Sequence, residues 1–520
     1  MSYSTSADQR PVVIAVDQGT SSTKALAVTA AGEVLGRELI KVSQQHPQPG
    51  WVEQDAGELL SSVLTAVTRL LARIPCAPAC LGLSTQRESA VIWDKRSGKP
   101  LGPVLGWQDR RTAQRAAAMR TGGDVDWITR RSGLPLDPMF SALKFEWLLD
   151  SVDPGRTRSR SGEIAIGTID SFLIYSLTGQ HLIEAGNASR TQLLDIRQAA
   201  WDAELLETFR IPVQALPGVV ASNTCVDLSD SFRKLCAASV TGGRINNQFR
   251  LSGVLGDSHA ALYGHGARDA GQVKVTYGTG SSVMGLLGAE AHPGAGLART
   301  VAWQLQDQPP ALAFEGNILS SGATLVWVAG LLGMQPAELA ELALGADPLH
   351  GLDLVPAFAG LGAPWWSDTA QAALSGFTLG TSRQAIARAA LDSVVLQVED
   401  VLTAAEQGGT VITEVLADGG PTANSGLMQL QADLSGRTVR RSRLPELSAF
   451  GVASLAATAA GFEISSADRG DDEDRFTPAM DSQAASQRRQ QWRAAVARTM
   501  ISADQLNAHA ASPAVSGSNA

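Results

Sequence analysis

Two short polar turns, each set between runs of β-branched and other apolar residues, constrain this chain more than any other feature. Val12 to Val16 reads as a strand, Asp17 to Lys24 is rich in Gly, Ser and Thr, and Ala25 to Val28 returns to apolar character. Ala31-Gly32 then makes the next turn. This order predicts a hairpin. About halfway along, Val273 to Tyr277, Gly278 to Ser282 and Val283 to Leu287 repeat the pattern. The turns share Gly-Thr-x-Ser, as Gly19-Thr20-Ser21-Ser22 and Gly278-Thr279-Gly280-Ser281. Each is followed by mixed strands and helices, so the spacing predicts a duplicated α/β domain. It far exceeds the roughly 20–50 residues of a solenoid repeat.

At 520 residues the chain exceeds one hydrophobic core, which also favours two large domains. The expected division is 11–254, 255–465 and a C-terminal segment 466–520. Gly57 to Ile74 reads as an amphipathic helix, Leu81 to Ser84 as a strand entering Gln86-Arg87-Glu88, and Val91 to Trp93 as the next strand. Phe140 to Leu149 and Ser382 to Glu406 read as helices, the second with Ile386, Ala390, Val394, Val398 and Val401 on one stripe. Val411 to Ala417 reads as a strand entering Asp418-Gly419-Gly420. Asn424 then caps a helix that Gly436 ends. Beyond Phe462 the composition turns polar, with an acidic stretch at Asp468 to Asp474 and a helix around Arg488 to Met500. The Ala/Ser/Asn-rich end is expected to fray.

A net charge of -9 argues against a general nucleic-acid binder, which needs a basic face. No apolar run reaches the ~20 residues of a membrane-spanning helix, and Met1 to Arg10 lacks a secretory apolar core. Cys76, Cys80, Cys225 and Cys236 are too few for a disulfide scaffold and lack the partners of a zinc knuckle. No nucleic acid, no membrane and a cytoplasmic location are therefore expected.

Neither a Walker loop nor a dinucleotide fingerprint is present. Gly256-Asp257-Ser258-His259-Ala260 echoes a hydrolase nucleophile elbow but ends in Ala. Consecutive N–H groups and hydroxyls in a Gly/Thr/Ser hairpin make an anion-binding concavity. One such hairpin is more often a plain turn; two in corresponding places point to a triphosphate held between them. Asp17 closes the first strand where a carboxylate can hold Mg²⁺, and Lys24 offers charge to the same phosphates. The glycines after Asp418 let a nucleotide approach the backbone. On the acceptor side Asp257 is a candidate base, Arg87 and Glu88 a donor and acceptor pair for neighbouring hydroxyls, and Trp107 an apolar wall. Standing alone, Arg87-Glu88 would read as a surface pair and Trp107 as a core residue.

These residues resemble the FGGY carbohydrate kinases, most closely the glycerol kinases among them. The likeness runs through VDQGTSSTKA at 16–25, HPQPGWVEQD at 46–55, STQRESAVIWDKRSGKP at 84–100, WQDRRT at 107–112 and SGLPLDPMFSALK at 132–144. GTIDSFLIYSLTG at 167–179, NASRTQLLDI at 187–196, GDSHAALYG at 256–264 and KVTYGTGSS at 274–282 continue it. VPAFAGLGAPWW at 355–366 and ADGGPTANSGLMQLQADLSG at 417–436 complete it.

The resemblance implies two ribonuclease-H-like, actin-like ATPase domains with an active-site cleft between them. It implies an ATP- and Mg²⁺-dependent transfer of phosphate to a polyol or sugar, by a protein that forms homodimers or homotetramers. Asp257 matches the catalytic base, and Thr20, Ser21, Ser22 and Lys24 match the phosphate loop, with Lys24 where Arg is usual. Thr279, Gly322, Gly420 and Asn424 match other nucleotide contacts, and Asp17 the magnesium-associated aspartate beside Asp257. Arg87, Glu88 and Trp107 match the acceptor-binding set.

The departures are Met139 for a Tyr, Ser258 for a Gln, Ser282 for a Phe and, on the nucleotide side, Val326 for a Gln. Two of these trade a large acceptor-side residue for a small one. The expected acceptor is therefore a polyol or sugar of four or five carbons. Glycerol kinase proper and a pentulose kinase such as a xylulokinase are the alternatives within this class. An ATP- or sugar-sensing regulatory protein and a filament-forming actin relative are those outside it.

Overall fold

The computed structural model describes residues 11–240, 245–246, 248–347, 351–465 and 474–511, with side chains through 500. The readings for Met1 to Arg10, for the acidic stretch up to residue 473 and for residues 512–520 lie outside them. The chain forms two compact units. One comprises Met1–Arg268, Ala298–Ala313 and Glu446–Arg469; the other comprises Asp269–Leu297, Phe314–Pro445 and Gly470–Ala520.

The first unit is built on a five-stranded sheet in the order Leu251–Gly256, Cys80–Thr85, Val12–Gln18, Ser22–Thr29, Val34–Lys41. The predicted hairpin is present, but its strands are longer and its turn shorter than expected. Asp17 pairs with Lys24 and Gln18 with Thr23, so only Gly19 to Ser21 turn the chain. These polar residues keep strand geometry because ladder bonds on either side satisfy their backbone.

Val12–Gln18, Cys80–Thr85 and Leu251–Gly256 run parallel, with Asp17 beside Ser84 and Thr85 beside Gly256. Their carboxyl ends share one edge, the edge at which open α/β sheets bind ligands. Ala56–Arg73 covers the sheet with Leu59, Val63, Ala66, Val67 and Leu70 buried, and Asp55 caps it by accepting from Glu58 N. Leu447–Ala459, from far along the chain, packs on the same sheet. A Cβ at Gly82 would lie 2.8 Å from Val452 O, and one at Gly253 would lie 2.9 Å from Ala456 N. Glycine at both positions lets the helix backbone approach.

Two buried acids of this unit, Glu184 and Asp170, are linked through one backbone bond. Glu184 accepts from Gly186 N and Asn187 N at 2.8 Å each and from Ser222 Oγ at 2.5 Å. Asp170 accepts from Glu184 N at 3.1 Å. Burial pushes the Glu184 carboxyl up to about 7 and the Asp170 carboxyl up to about 6. A raised folded-state pKa means the native state binds more protons than the unfolded chain. The stability these groups lend is complete below their unfolded values and is lost as pH rises through 6 and 7. Urea unfolding at pH 5 and pH 8 should show this loss. Glu184→Gln should shrink the difference by on the order of 2 kcal/mol; an unchanged difference would mean that the Glu184 carboxyl is not raised.

The second unit has a sheet in the order Ala311–Ile318, Ser281–Leu286, Gln272–Tyr277, Glu414–Asp418, Thr438–Arg441, Arg475–Phe476. Its predicted hairpin is present too, again with a shorter turn than expected: Ser281 and Ser282 already pair, leaving Gly278 to Gly280 to turn the chain. Arg383–Gln407, capped by Ser382, buries Ala390, Val394, Val398 and Val401, while Ile386 is only partly buried. Asn424 Oδ1 accepts from Leu427 N at 2.8 Å to start Ser425–Ser435, and Gly436 ends it at φ 68°.

Two expectations are corrected. The strand expected from Val411 starts only at Glu414, because Val411 is exposed and Thr413 N is taken by Gly271 O. The helix expected over Arg488 to Met500 runs Ser482–Ala511, its buried Trp492 and Val496 joining the core. Among the described residues no single helix is long and apolar enough to cross a membrane.

Candidate active site

In the first unit the sheet's carboxyl edge gathers most of the predicted residues. Asp17 ends its strand and accepts from Ser84 Oγ at 2.9 Å. Burial and the charge of Asp257 push its carboxyl up to about 6, against the opposing pull of Ser84 and Lys24. Asp257 opens the helix Asp257–Gly264 directly after the strand Leu251–Gly256. Its Oδ1 accepts from Arg87 Nε at 3.1 Å and from Ser258 N at 2.6 Å, and its carbonyl accepts from Ser448 Oγ at 3.0 Å. The side chain stays 40% exposed, so an anchored carboxylate still meets a ligand. Glycine at 256 is needed here, since a Cβ would lie 2.6 Å from Arg87 Cγ and Cδ.

Glu88 adopts a left-handed backbone at φ 61°. Its carbonyl accepts from Ser141 Oγ at 3.0 Å and Lys144 Nζ at 3.2 Å, and its Oε1 accepts from Arg190 Nε at 2.5 Å. Both Arg190 and Glu88 are buried, so the neighbouring acidic and basic side chains at 87 and 88 are not a surface pair. Lys144 also donates to Met139 O, and burial pushes its ammonium down to about 8. Met139 packs against Leu134 and Phe140. Trp107 is anchored to the phosphate loop, its Nε1 donating to Thr20 Oγ1 at 3.1 Å. Gln54 Nε2 holds the Thr20 carbonyl at 2.9 Å, and Val42 N holds that of Ser21 at 3.1 Å.

In the second unit three loops meet. Gly322 N donates to Gly278 O and Ser321 N to Thr279 O at 2.9 Å each, so the hairpin turn seats on the start of the helix Gly322–Leu332. A Cβ at Gly322 would lie 2.5 Å from Gly278 O. Gly419 (φ 98°) presses on the same turn, its Cβ position 2.0 Å from Tyr277 O, and Gly420 borders open space. Thr279, Gly322 and Gly420 thus come together, with Asn424 capping the next helix and Val326 exposed on Gly322–Leu332. Ser282 does not join them: its hydroxyl sits 3.4 Å from Lys274 Nζ and 3.5 Å from Glu315 Oε1, both side chains buried.

Reading the sequence missed Arg190, Lys144 and Ser84. The first two are cations inside otherwise buried stretches, at Ala188 to Gln192 and Ser141 to Phe145. A charge there demands a buried partner. That signal was available; the partner's identity was not.

Chemically, the first unit offers an exposed carboxylate fixed by a guanidinium, a second carboxylate beside it, and a hairpin of hydroxyls. The second offers a glycine-rich concavity at a helix N-terminus, which suits phosphate.

Comparison with known proteins agrees with this inventory. The chain matches the N-terminal domain of the FGGY family of carbohydrate kinases over residues 12–264 and its C-terminal domain over 273–460. It is 41% identical over 495 residues to a glycerol kinase of Alkalilimnicola ehrlichii, covering 94% of this chain and 98% of the relative. A glycerol kinase of Haloarcula marismortui is 36% identical over 504 residues, covering 93% and 97%. Among solved structures, Plasmodium falciparum glycerol kinase with ADP superposes with a TM-score of 0.85 at 25% identity, covering 94% and 98%. A ligand-bound xylulose kinase from Lactobacillus acidophilus gives 0.83 at 19% identity, covering 96% and 99%, a likeness of fold alone. With both domains matched and the two-domain α/β fold of the actin-like ATPases in common, this chain belongs to the FGGY family of carbohydrate kinases and is a carbohydrate or polyol kinase.

Proposed function

We propose that this kinase transfers the γ-phosphoryl group of ATP to a hydroxyl of a four- or five-carbon polyol or sugar, with Asp257 as the base. The observation that carries the reading is the Asp257 carboxylate, held through Oδ1 by Arg87, one member of the acceptor pair, and still 40% exposed. The acceptor oxygen forms a bond to the γ-phosphorus as the bond to the β-phosphate bridging oxygen breaks. The acceptor proton passes to Asp257, and ADP leaves with the electron pair.

Thr20, Ser21, Ser22 and Lys24 on one unit and Thr279, Gly322, Gly420 and Asn424 on the other are the proposed nucleotide contacts. Arg87, Glu88, Trp107, Met139, Ser258 and Ser282 are the proposed acceptor contacts.

A divalent cation fits the donor set. Asp17 and Asp257 place two carboxylates close enough for each charge to feel the other, a repulsion that Mg²⁺ would relieve. Mg²⁺ usually takes only one or two carboxylates beside phosphate oxygens and water. When bound, it would neutralise charge on the phosphates. Domains near 11–254 and 255–465, cytoplasmic residence and a homodimeric or homotetrameric assembly belong to the same proposal.

The acceptor length rests on the small Ser258 and Ser282. A coupled assay for ADP release should give a higher kcat/KM for erythritol, threitol, ribitol, arabitol, xylulose or ribulose than for glycerol. One methylene in a pocket is worth about 1–3 kcal/mol, so glycerol should keep measurable activity. If glycerol is the best of the panel, the acceptor is the three-carbon one, as in the glycerol kinases the chain is similar to.

A further inference from the structure

On the first unit a groove of about 440 Å³ is lined by Trp127, Arg130, Arg131, Asp195, Arg197 and Glu204. Its floor is the end of the helix Asp126–Ser132, and backbone bonds there bring two distant arginines to one turn. Ile196 N donates to Arg131 O at 3.0 Å, placing Arg197 beside the groove. Arg299 is tied to the end of this helix by one backbone bond, its N donating to Gly133 O at 2.8 Å. A Cβ at Gly133 would lie 3.0 Å from Arg299 Cβ.

The charges around this groove fall into two kinds. Arg131 is already matched, lying 3.2 Å from Asp202, 3.4 Å from Glu204 and 3.5 Å from Asp195. Asp195 also caps the turn, accepting from Arg197 N at 2.8 Å. Arg130 reaches only an exposed Asp124, at 3.7 Å. Among the described residues neither Arg197 nor Arg299 has an acidic partner, and Arg299 Nε is buried with no acceptor at all. Burial, and after it the charge of Arg197, push the Arg299 guanidinium below its usual range.

A guanidinium N–H buried without an acceptor is costly, and a second cation beside it adds to the cost. One oxyanion between the two guanidinium groups would offset both positive charges, because such groups bind phosphate oxygens through paired N–H bonds. The neighbouring carboxylates of Asp195 and Glu204 and the indole of Trp127 would sort anions, rejecting polyanions and accepting hydroxyls beside a single phosphate.

We propose that Arg197 and Arg299, with Arg130 at the rim, form a second anion site that takes one phosphate group, free or carried by a small hydroxylated molecule. None of Arg130, Arg197 and Arg299 is among the proposed catalytic or binding residues, and the site's existence does not depend on which acceptor the enzyme uses.

Calorimetric titration at low ionic strength tests it, with inorganic phosphate and glycerol 3-phosphate as separate probes. Arg197→Gln and Arg130→Gln are the variants, since both side chains are exposed and neither substitution should disturb folding. The wild type should bind phosphate saturably, and Arg197→Gln should weaken it at least tenfold. Basal kcat/KM for ATP without added phosphate should be unchanged. Tighter binding of glycerol 3-phosphate that also falls in Arg197→Gln would assign the site to a carried phosphate; equal binding would assign it to the free ion. Identical titrations for wild type and Arg197→Gln, or no saturable binding, would overturn the proposal. Identical saturable titrations would place the phosphate on the hairpin loops instead.

Discussion

Asp257→Asn is expected to lower kcat by about 10³-fold, within the 10²–10⁴ typical of a lost general base, while leaving the fold and the affinity for ATP near wild type. The substitution keeps the side-chain shape. Arg87 Nε and Ser258 N can still donate to the remaining oxygen at position 257, so the helix start Asp257–Gly264 is retained. What disappears is the ability to take a proton from the acceptor hydroxyl. KM for the acceptor should change little, because Glu88 and the Arg87 guanidinium still present their bonding groups to it. Steady-state ADP release together with ADP binding by calorimetry separates the two effects. Turnover within a few-fold of wild type would remove Asp257 as base. A variant that also lost ADP binding would instead make it chiefly a metal-site residue.

A second consequence follows for Asp17, whose raised carboxyl depends in part on the charge at 257. Removing that charge lowers the cost of ionising Asp17, but it also leaves a divalent cation one carboxylate fewer.

Some of this architecture was legible because its signals are local. Asn424 and Gly436 bracket a helix by chemistry that acts within one turn, a side-chain acceptor at the start and a left-handed residue at the end. Both hairpins were legible for the same reason. The strand ends were not: Asp17, Gln18, Thr23 and Lys24 look like turn residues, yet they pair in register because the sheet's carboxyl edge faces a polar site. The helix Leu447–Ala459 packs on the first unit's sheet only because Gly82 and Gly253 let it approach, and the meaning of those glycines is purely tertiary. For Arg190 the sequence signals the need for a buried partner but not its identity, because Glu88 lies far away in sequence.

That partner makes Arg190 the other sensitive position. Arg190→Met should destabilise the protein by about 3–5 kcal/mol, the usual result of leaving one member of a buried ion pair uncompensated. Arg190 Nε lies 2.5 Å from Glu88 Oε1 with both side chains almost wholly buried. Glu88 already holds a left-handed backbone, fixed through its carbonyl by Ser141 and Lys144. Without the guanidinium, its carboxylate either takes up a proton or turns toward water, and in both cases it ceases to be a fixed acceptor. Urea unfolding measures the first effect. The functional effect should be selective: acceptor KM should rise at least tenfold while KM for ATP stays put, since the Arg190 Nε bond goes to a proposed acceptor contact, Glu88. Adding Glu88→Gln to Arg190→Met separates structure from positioning. Neutralising the stranded charge should recover part of the lost stability but none of the acceptor affinity. If stability and acceptor KM recovered together, Arg190 would serve only to hold the core, and Glu88 would not be an acceptor ligand. If acceptor and ATP constants deteriorated in step, the damage would be a general loosening of the unit, and the positioning role would fail.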